Sequence, residues 1–117
     1  MTSRIDVPTL RAALWAYRAL GQVRRQLRRG DLQHLHVTPA PRLPRWAGRG
    51  VSAVLRRRDT TCLEQALVIQ RWKMTLNEPV DVIIGIRSGE EFGAHAWIDG
   101  DTASGEDFEE LLRVSPP

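Results

Sequence analysis

Apolar residues recur at intervals of three and four from residue 9 to about residue 29, at Leu10, Ala13, Leu14, Tyr17, Leu20 and Val23. That spacing predicts an amphipathic helix, with Pro8 suited to its first turn and Gly30 to its stop. Arg11, Arg18, Arg24, Arg25, Arg28 and Arg29 take much of the remaining surface and gather toward the end where cations suit the helix dipole. Gly21 weakens the helix by roughly 1 kcal/mol relative to Ala and marks where it would break. Pro39, Pro41 and Pro44 each lack an N–H and restrain their predecessors, which makes residues 37–44 an extended connector. Trp46, Val51, Val54 and Leu55 then fit a short helix within residues 45–58, its first turns weakened by Gly48 and Gly50.

The second half has a different rhythm. Between residues 62 and 76, Leu63, Ala66, Leu67, Ile69, Trp72, Met74 and Leu76 cover more than half of a helix circumference, the mark of a central helix packed on several sides. Residues 80–86 are short and β-branched, with Val80, Val82, Ile84 and Ile86 on one face of a strand. A polar turn follows at residues 87–91. Residues 92–99 alternate again, placing Phe92, Ala94, Ala96 and Ile98 on one face and Gly93, His95, Trp97 and Asp99 on the other. Gly100-Asp101-Thr102 reads as a turn, residues 103–108 as a weak third strand ahead of the 109–114 segment, and the last three residues as a loose tail. The predicted fold class is α+β. Residues 1–44 form a helical arm and connector, residues 45–117 a core in which the central helix packs against an antiparallel sheet, the two making one compact unit.

Composition narrows the compartment and the chemistry. At 117 residues and 42% hydrophobic, the chain suits a single modest domain. One cysteine excludes an intramolecular disulfide, and three histidines with one cysteine make no cluster at zinc-ligand spacing. His34 and His36 lack a third ligand nearby and read as loop residues, so neither a metal nor another cofactor is expected. A reducing cytoplasm is the natural location. No apolar run approaches the roughly eighteen residues that a bilayer span needs.

Charge divides the chain in two. Residues 1–60 carry thirteen Arg against three acidic residues, net +10, and residues 61–117 carry four basic against eleven acidic, net −7. Such halves can hold each other, or the arginines can meet an acidic peptide or a nucleic acid. An Arg-rich nucleic-acid-binding module with a structural cysteine is one class of function. It lacks interleaved aromatics and a recognisable reading helix.

The lone cysteine opens the other class. Thr61 followed by Glu64 is a capping-box signature, which puts Cys62 in the first turn of the central helix. A helix start is one setting in which a protein activates a cysteine nucleophile, although a lone cysteine also serves as a small apolar filler. A nucleophile needs a base held by a third polar group. His95 is the only histidine in the patterned half. Asp99 shares its face but lies roughly 13 Å along the same strand, and Asp101 lies further still. With a three-residue turn centred on Asp101, residues 95 and 107 fall directly opposite, Cβ atoms roughly 5 Å apart, which selects Asp107; a one-residue slip brings up Glu106 or Phe108 instead.

Cysteine at a helix start, histidine on the second strand and aspartate on the third is the layout of a transglutaminase-like or papain-like site. Cys62-Leu63-Glu64-Gln65-Ala66-Leu67, then Ile84-Gly85-Ile86, then Phe92-Gly93-Ala94-His95-Ala96-Trp97-Ile98, resembles the transglutaminase-like leader peptidase of lasso-peptide biosynthesis, over about residues 55–110. The resemblance implies a catalytic triad of Cys62, His95 and Asp107. It also implies removal of a leader from a ribosomally made precursor, a separate small leader-binding protein as partner, and a cyclase that acts next. Membrane and nucleic acid are not among the implied partners. An acyl transferase on the same fold is the alternative that the triad leaves open. The glutamine that papain-like enzymes place before the cysteine is replaced here by Arg56, Arg57 and Arg58, so the Cys62 N–H is the expected oxyanion donor and the second donor is unassigned. Those arginines lie close enough in sequence to act on the thiol. Trp97 either shields the histidine or packs as an ordinary core residue.

Overall fold

Asp6 starts the first helix by accepting a hydrogen bond from the Thr9 N–H at 2.8 Å, and α1 (Val7–Arg28) then runs unbroken. The computed structural model describes residues 6–30, 32–87, 93–101 and 108–116. The expected break at Gly21 does not occur. Ala19, Leu20 and Val23 on either side of it are buried, and that packing outweighs the roughly 1 kcal/mol propensity cost of one glycine. The buried face of α1 also differs from the one expected. Ala12, Trp15, Ala16, Ala19, Leu20 and Val23 face the core, whereas Leu10, Leu14 and Tyr17 face solvent. The small residues win because they let another helix come close: a Cβ on Gly50 would lie 2.3 Å from the Thr9 carbonyl oxygen.

The proline-bearing connector is fastened to α1 by side chains. Trp15 Nε1 donates to the Thr38 carbonyl at 2.7 Å. The Thr38 and His36 N–H groups donate to Gln22 Oε1 at 2.8 Å and Gln26 Oε1 at 2.6 Å. Two glutamines one turn apart thus stand in for a neighbouring strand and satisfy an extended backbone that has none.

A 3₁₀ turn at Arg45–Ala47 leads into α2 (Gly48–Arg57). Gly48 allows Trp72 to approach, since a Cβ there would lie 2.8 Å from Trp72 Nε1. Trp46 points outward, under the Arg49 guanidinium, and is not part of the buried face. Asp59, with φ of 53°, turns the chain into α3 (Cys62–Thr75). Trp15 and Trp72 meet with ring centroids 6.0 Å apart at the centre of one continuous core that draws on all three helices and the sheet. The fully buried Gln70 joins helix to sheet, its Nε2 donating to the Val80 and Val114 carbonyls, both at 2.9 Å.

The sheet comprises β1 (Val82–Arg87), β2 (Gly93–Ile98) and β3 (Glu109–Val114), all antiparallel, in the order β2-β1-β3. The α+β class is the one expected. β3 is the 109–114 segment, and it pairs with β1, Val82 opposite Val114 and Ile86 opposite Glu109; the weak strand expected at residues 103–108 falls, but for Phe108, outside the described residues. A register shift at Ile84/Gly85 leaves Leu111 as the extra, bulged residue. Ala96, Ile98, Ile84 and Val82 face α3, and His95 and Trp97 take the alternate positions. Among the described residues no helix is long and apolar enough to cross a membrane.

Candidate active site

Cys62 is the first residue of α3, half-buried, and its position is fixed by the residues around it. The capping box is present in both directions. The Glu64 N–H donates to Thr61 Oγ1 at 3.2 Å, and the Thr61 N–H donates to Glu64 Oε1 at 3.0 Å. Arg24 of α1 then clasps the same carboxylate, Nε to Oε2 at 3.1 Å and Nη2 to Oε1 at 3.3 Å, and donates from Nη2 to the Arg58 carbonyl at 3.0 Å. Burial pushes the Glu64 carboxyl up, but the Thr61 N–H and the Arg24 guanidinium outweigh it and hold the carboxyl below its ordinary value. The thiol thus sits on a helix end braced from two directions.

Helical spacing extends the site from that residue. Cys62, Gln65, Ala66 and Ile69 form one stripe along α3 and one wall of a cavity of about 120 Å³. His95, Ala96, Trp97 and Ile98 of β2 form the facing wall, and Asp101 closes one end. The volume equals about four waters' share of liquid, enough for a peptide carbonyl with its flanking atoms.

The imidazole is set in aromatic surroundings. His95 stacks on Trp97 with centroids 5.7 Å apart and planes 20° from parallel, and meets Phe108 at 5.2 Å. The Trp97 ring lies over Gly85: a Cβ there would lie 2.7 Å from Trp97 Cη2 and 2.9 Å from the Glu109 carbonyl oxygen. The Arg87 guanidinium lies 5.2 Å from the Phe108 ring centre. Among the described residues no hydrogen bond joins Cys62 Sγ to His95. They share a cavity, a looser arrangement than an engaged nucleophile and base, as is common before substrate binds.

The acidic candidates separate clearly. Asp99 points to Arg113 at 3.0 Å, an ion-pair cluster that also takes in Asp81 at 3.2 Å and Glu110 at 2.6 Å. Asp101 lies at the cavity, contrary to the expectation that it falls too far along the strand. The described part of the turn is closed by the Asp101 N–H, which donates to the Ile98 carbonyl at 3.0 Å, with Gly100 at φ of 102°. Glycine at the third position of such a turn is the sequence signal that would have found it. Asp107 and Glu106 lie outside the described residues. The cross-strand pairing that selects Asp107 falls on residues 103–107 and so lies outside them as well. Gln65 is the other lining residue that the sequence reading passed over, and its spacing of three from Cys62 is the signal.

Arg56, Arg57 and Arg58 line a groove between α1 and α2 and not the cysteine's cavity. His34 and His36 line a separate open depression with Gln22, Arg25, Gln26 and Arg29. Among the described residues no group of three His, Cys, Asp or Glu side chains is placed to hold a metal ion.

The model of the transglutaminase-like superfamily matches residues 5–116 of the chain. No curated protein and no solved structure matches it significantly.

Proposed function

We infer the function from one premise: this chain belongs to the transglutaminase-like superfamily, whose members include cysteine proteases and acyltransferases. We propose that it is a cysteine peptidase that removes the leader from a ribosomally made lasso-peptide precursor. The observation that carries the reading is that Cys62, on its capped helix start, and His95, on β2, line the same cavity. The motifs around both residues support the assignment to leader removal.

In this reaction Cys62 Sγ attacks the carbonyl carbon at the leader junction while His95 takes the thiol proton. The tetrahedral intermediate collapses to a thioester as His95 passes that proton to the departing amine of the core peptide. Water then adds to the thioester, His95 accepting its proton and returning it to the sulfur, and the leader leaves with a free carboxylate. The Cys62 backbone N–H is one oxyanion donor. Asp107 orients the imidazole. That role is the one the resemblance carries to Asp107. The precursor peptide, a separate leader-binding protein and the lasso cyclase are the proposed partners.

The test is to incubate the protein with the precursor encoded beside its gene, with and without the neighbouring leader-binding protein, and weigh the products. Leader and core masses are expected, and none from Cys62→Ala. Cleavage retained by that variant would sink the mechanism. A product carrying an added amine in place of water would identify an acyl transferase on the same fold.

A further inference from the structure

We propose that the groove between α1 and α2 is the docking site for an acidic, amphipathic helical segment of a partner protein. Val7, Leu10, Leu14 and Tyr17 of α1 are 70%, 49%, 60% and 55% exposed, and their spacing of three, four and three is that of a helix-pairing seam that no other helix among the described residues covers. Beside this seam lies a groove of about 550 Å³ whose floor is Leu10, Ala13, Tyr17, Ala53 and Val54. Its rim is Arg56, Arg57 and Arg58, all exposed. Arg58 rests over the Tyr17 ring at 4.9 Å, and Arg56 and Arg57 have no acidic partner among the described residues. By contrast Arg49, at the other end, is already paired with Asp6 at 2.6 Å.

An apolar floor with an unpaired guanidinium rim fits a helix that buries Leu-like side chains at intervals of three and four and presents carboxylates at its edge. A phosphodiester backbone would meet the rim but leave the carbon floor uncovered. A second copy paired by a two-fold axis would bring two basic α1 faces together, Arg11 and Arg18 among them, since α1 contains no acidic residue to offset them.

The inference stands without the peptidase reading, and its test is made on the Cys62→Ala protein so that the two fail separately. Random displayed peptides of about twelve residues are selected on the immobilised full chain, and the enriched peptide is synthesised, labelled and titrated by fluorescence anisotropy. Enrichment of Asp and Glu with apolar residues three and four apart is expected. Its affinity should fall about tenfold in the double variant Arg56→Glu/Arg57→Glu, fall likewise in Ala53→Lys, and weaken as NaCl rises from about 50 to about 300 mM. Arg25→Glu/Arg29→Glu, on the far end of α1, should bind as the parent does. Circular dichroism shows that each variant is folded. Failure to enrich, enrichment of neutral or basic peptides, full affinity in the rim variant, or an equal loss in the Arg25/Arg29 control would overturn the proposal. So would competition by a single-stranded oligonucleotide for the same rim, or a dimer in solution that the rim variant abolishes.

Discussion

Arg24 and Glu64, forty residues apart, form a two-point clasp in which Nε donates to Oε2 at 3.1 Å and Nη2 to Oε1 at 3.3 Å. The same carboxylate closes the capping box above Cys62, so the arm helix and the cysteine's helix are joined at one side chain. Helix caps contribute about 1 kcal/mol, and a partly exposed ion pair adds less than that. Glu64→Ala should therefore lower the melting temperature by about 4 °C or more and Arg24→Ala by less. The double variant should lose less than the sum, and strict additivity would show that the two residues act separately.

The clasp also gives stability a pH dependence of definite sign. The Glu64 carboxyl is held below its ordinary value of 4.5. A carboxyl lowered by folding contributes stability that is fully present above the unfolded value and is lost as pH falls through the folded one. Between about pH 6 and pH 3 the parent's melting temperature should fall more steeply than that of Glu64→Gln, which has no proton to take up there. Parallel curves would remove Glu64 from the account.

Gly85 supports the site from beneath. A methyl group there meets the Trp97 ring at 2.7 Å and the Glu109 carbonyl at 2.9 Å, and a backbone oxygen in a paired strand has little room to move. Gly85→Ala should cost about 1–3 kcal/mol by overpacking and displace the ring on which His95 stacks. On the proposed function, leader cleavage should fall in kcat more than in KM. An unchanged kcat in a measurably destabilised variant would detach the aromatic support from catalysis.

The three aspartates make a graded set. Asp99→Asn loses an exposed ion pair with Arg113, costs under about 1 kcal/mol and should leave cleavage intact. Asp107→Asn should lower kcat by orders of magnitude if Asp107 holds the imidazole in its working tautomer. Asp101→Asn, at the mouth of the cavity, should act chiefly on KM. A larger kcat loss from Asp101→Asn than from Asp107→Asn would transfer the orienting role to Asp101.

Local signals were legible because they depend on near neighbours. Thr61 and Glu64 announced the capping box, and period-two alternation placed His95 and Trp97 on one face, where they stack. Strand order was not legible, since β3 could pair with β2 or β1 without any change in its own pattern. The buried face of α1 was misread for a related reason. The helix carries two apolar stripes, and only the close approach at Gly50 decides that the alanine-rich one turns inward. Gly100 held the turn in plain sight, yet its effect, bringing Asp101 back to the cavity, depends on a positive φ that a composition-based reading of the turn does not weigh.

Gln70 gives the fold an unusual order of disassembly. One amide nitrogen holds the backbone just ahead of the first strand and the end of the last one, from the middle of the central helix. Neither strand terminus can fray without leaving one of that nitrogen's two N–H donors buried and unbonded, a cost of about 1–3 kcal/mol. The C-terminal strand and the cysteine's helix should thus open as one cooperative unit. In native-state hydrogen exchange the amides of Val68 and Val82 should share a single opening free energy, and Gln70→Leu should split them into two.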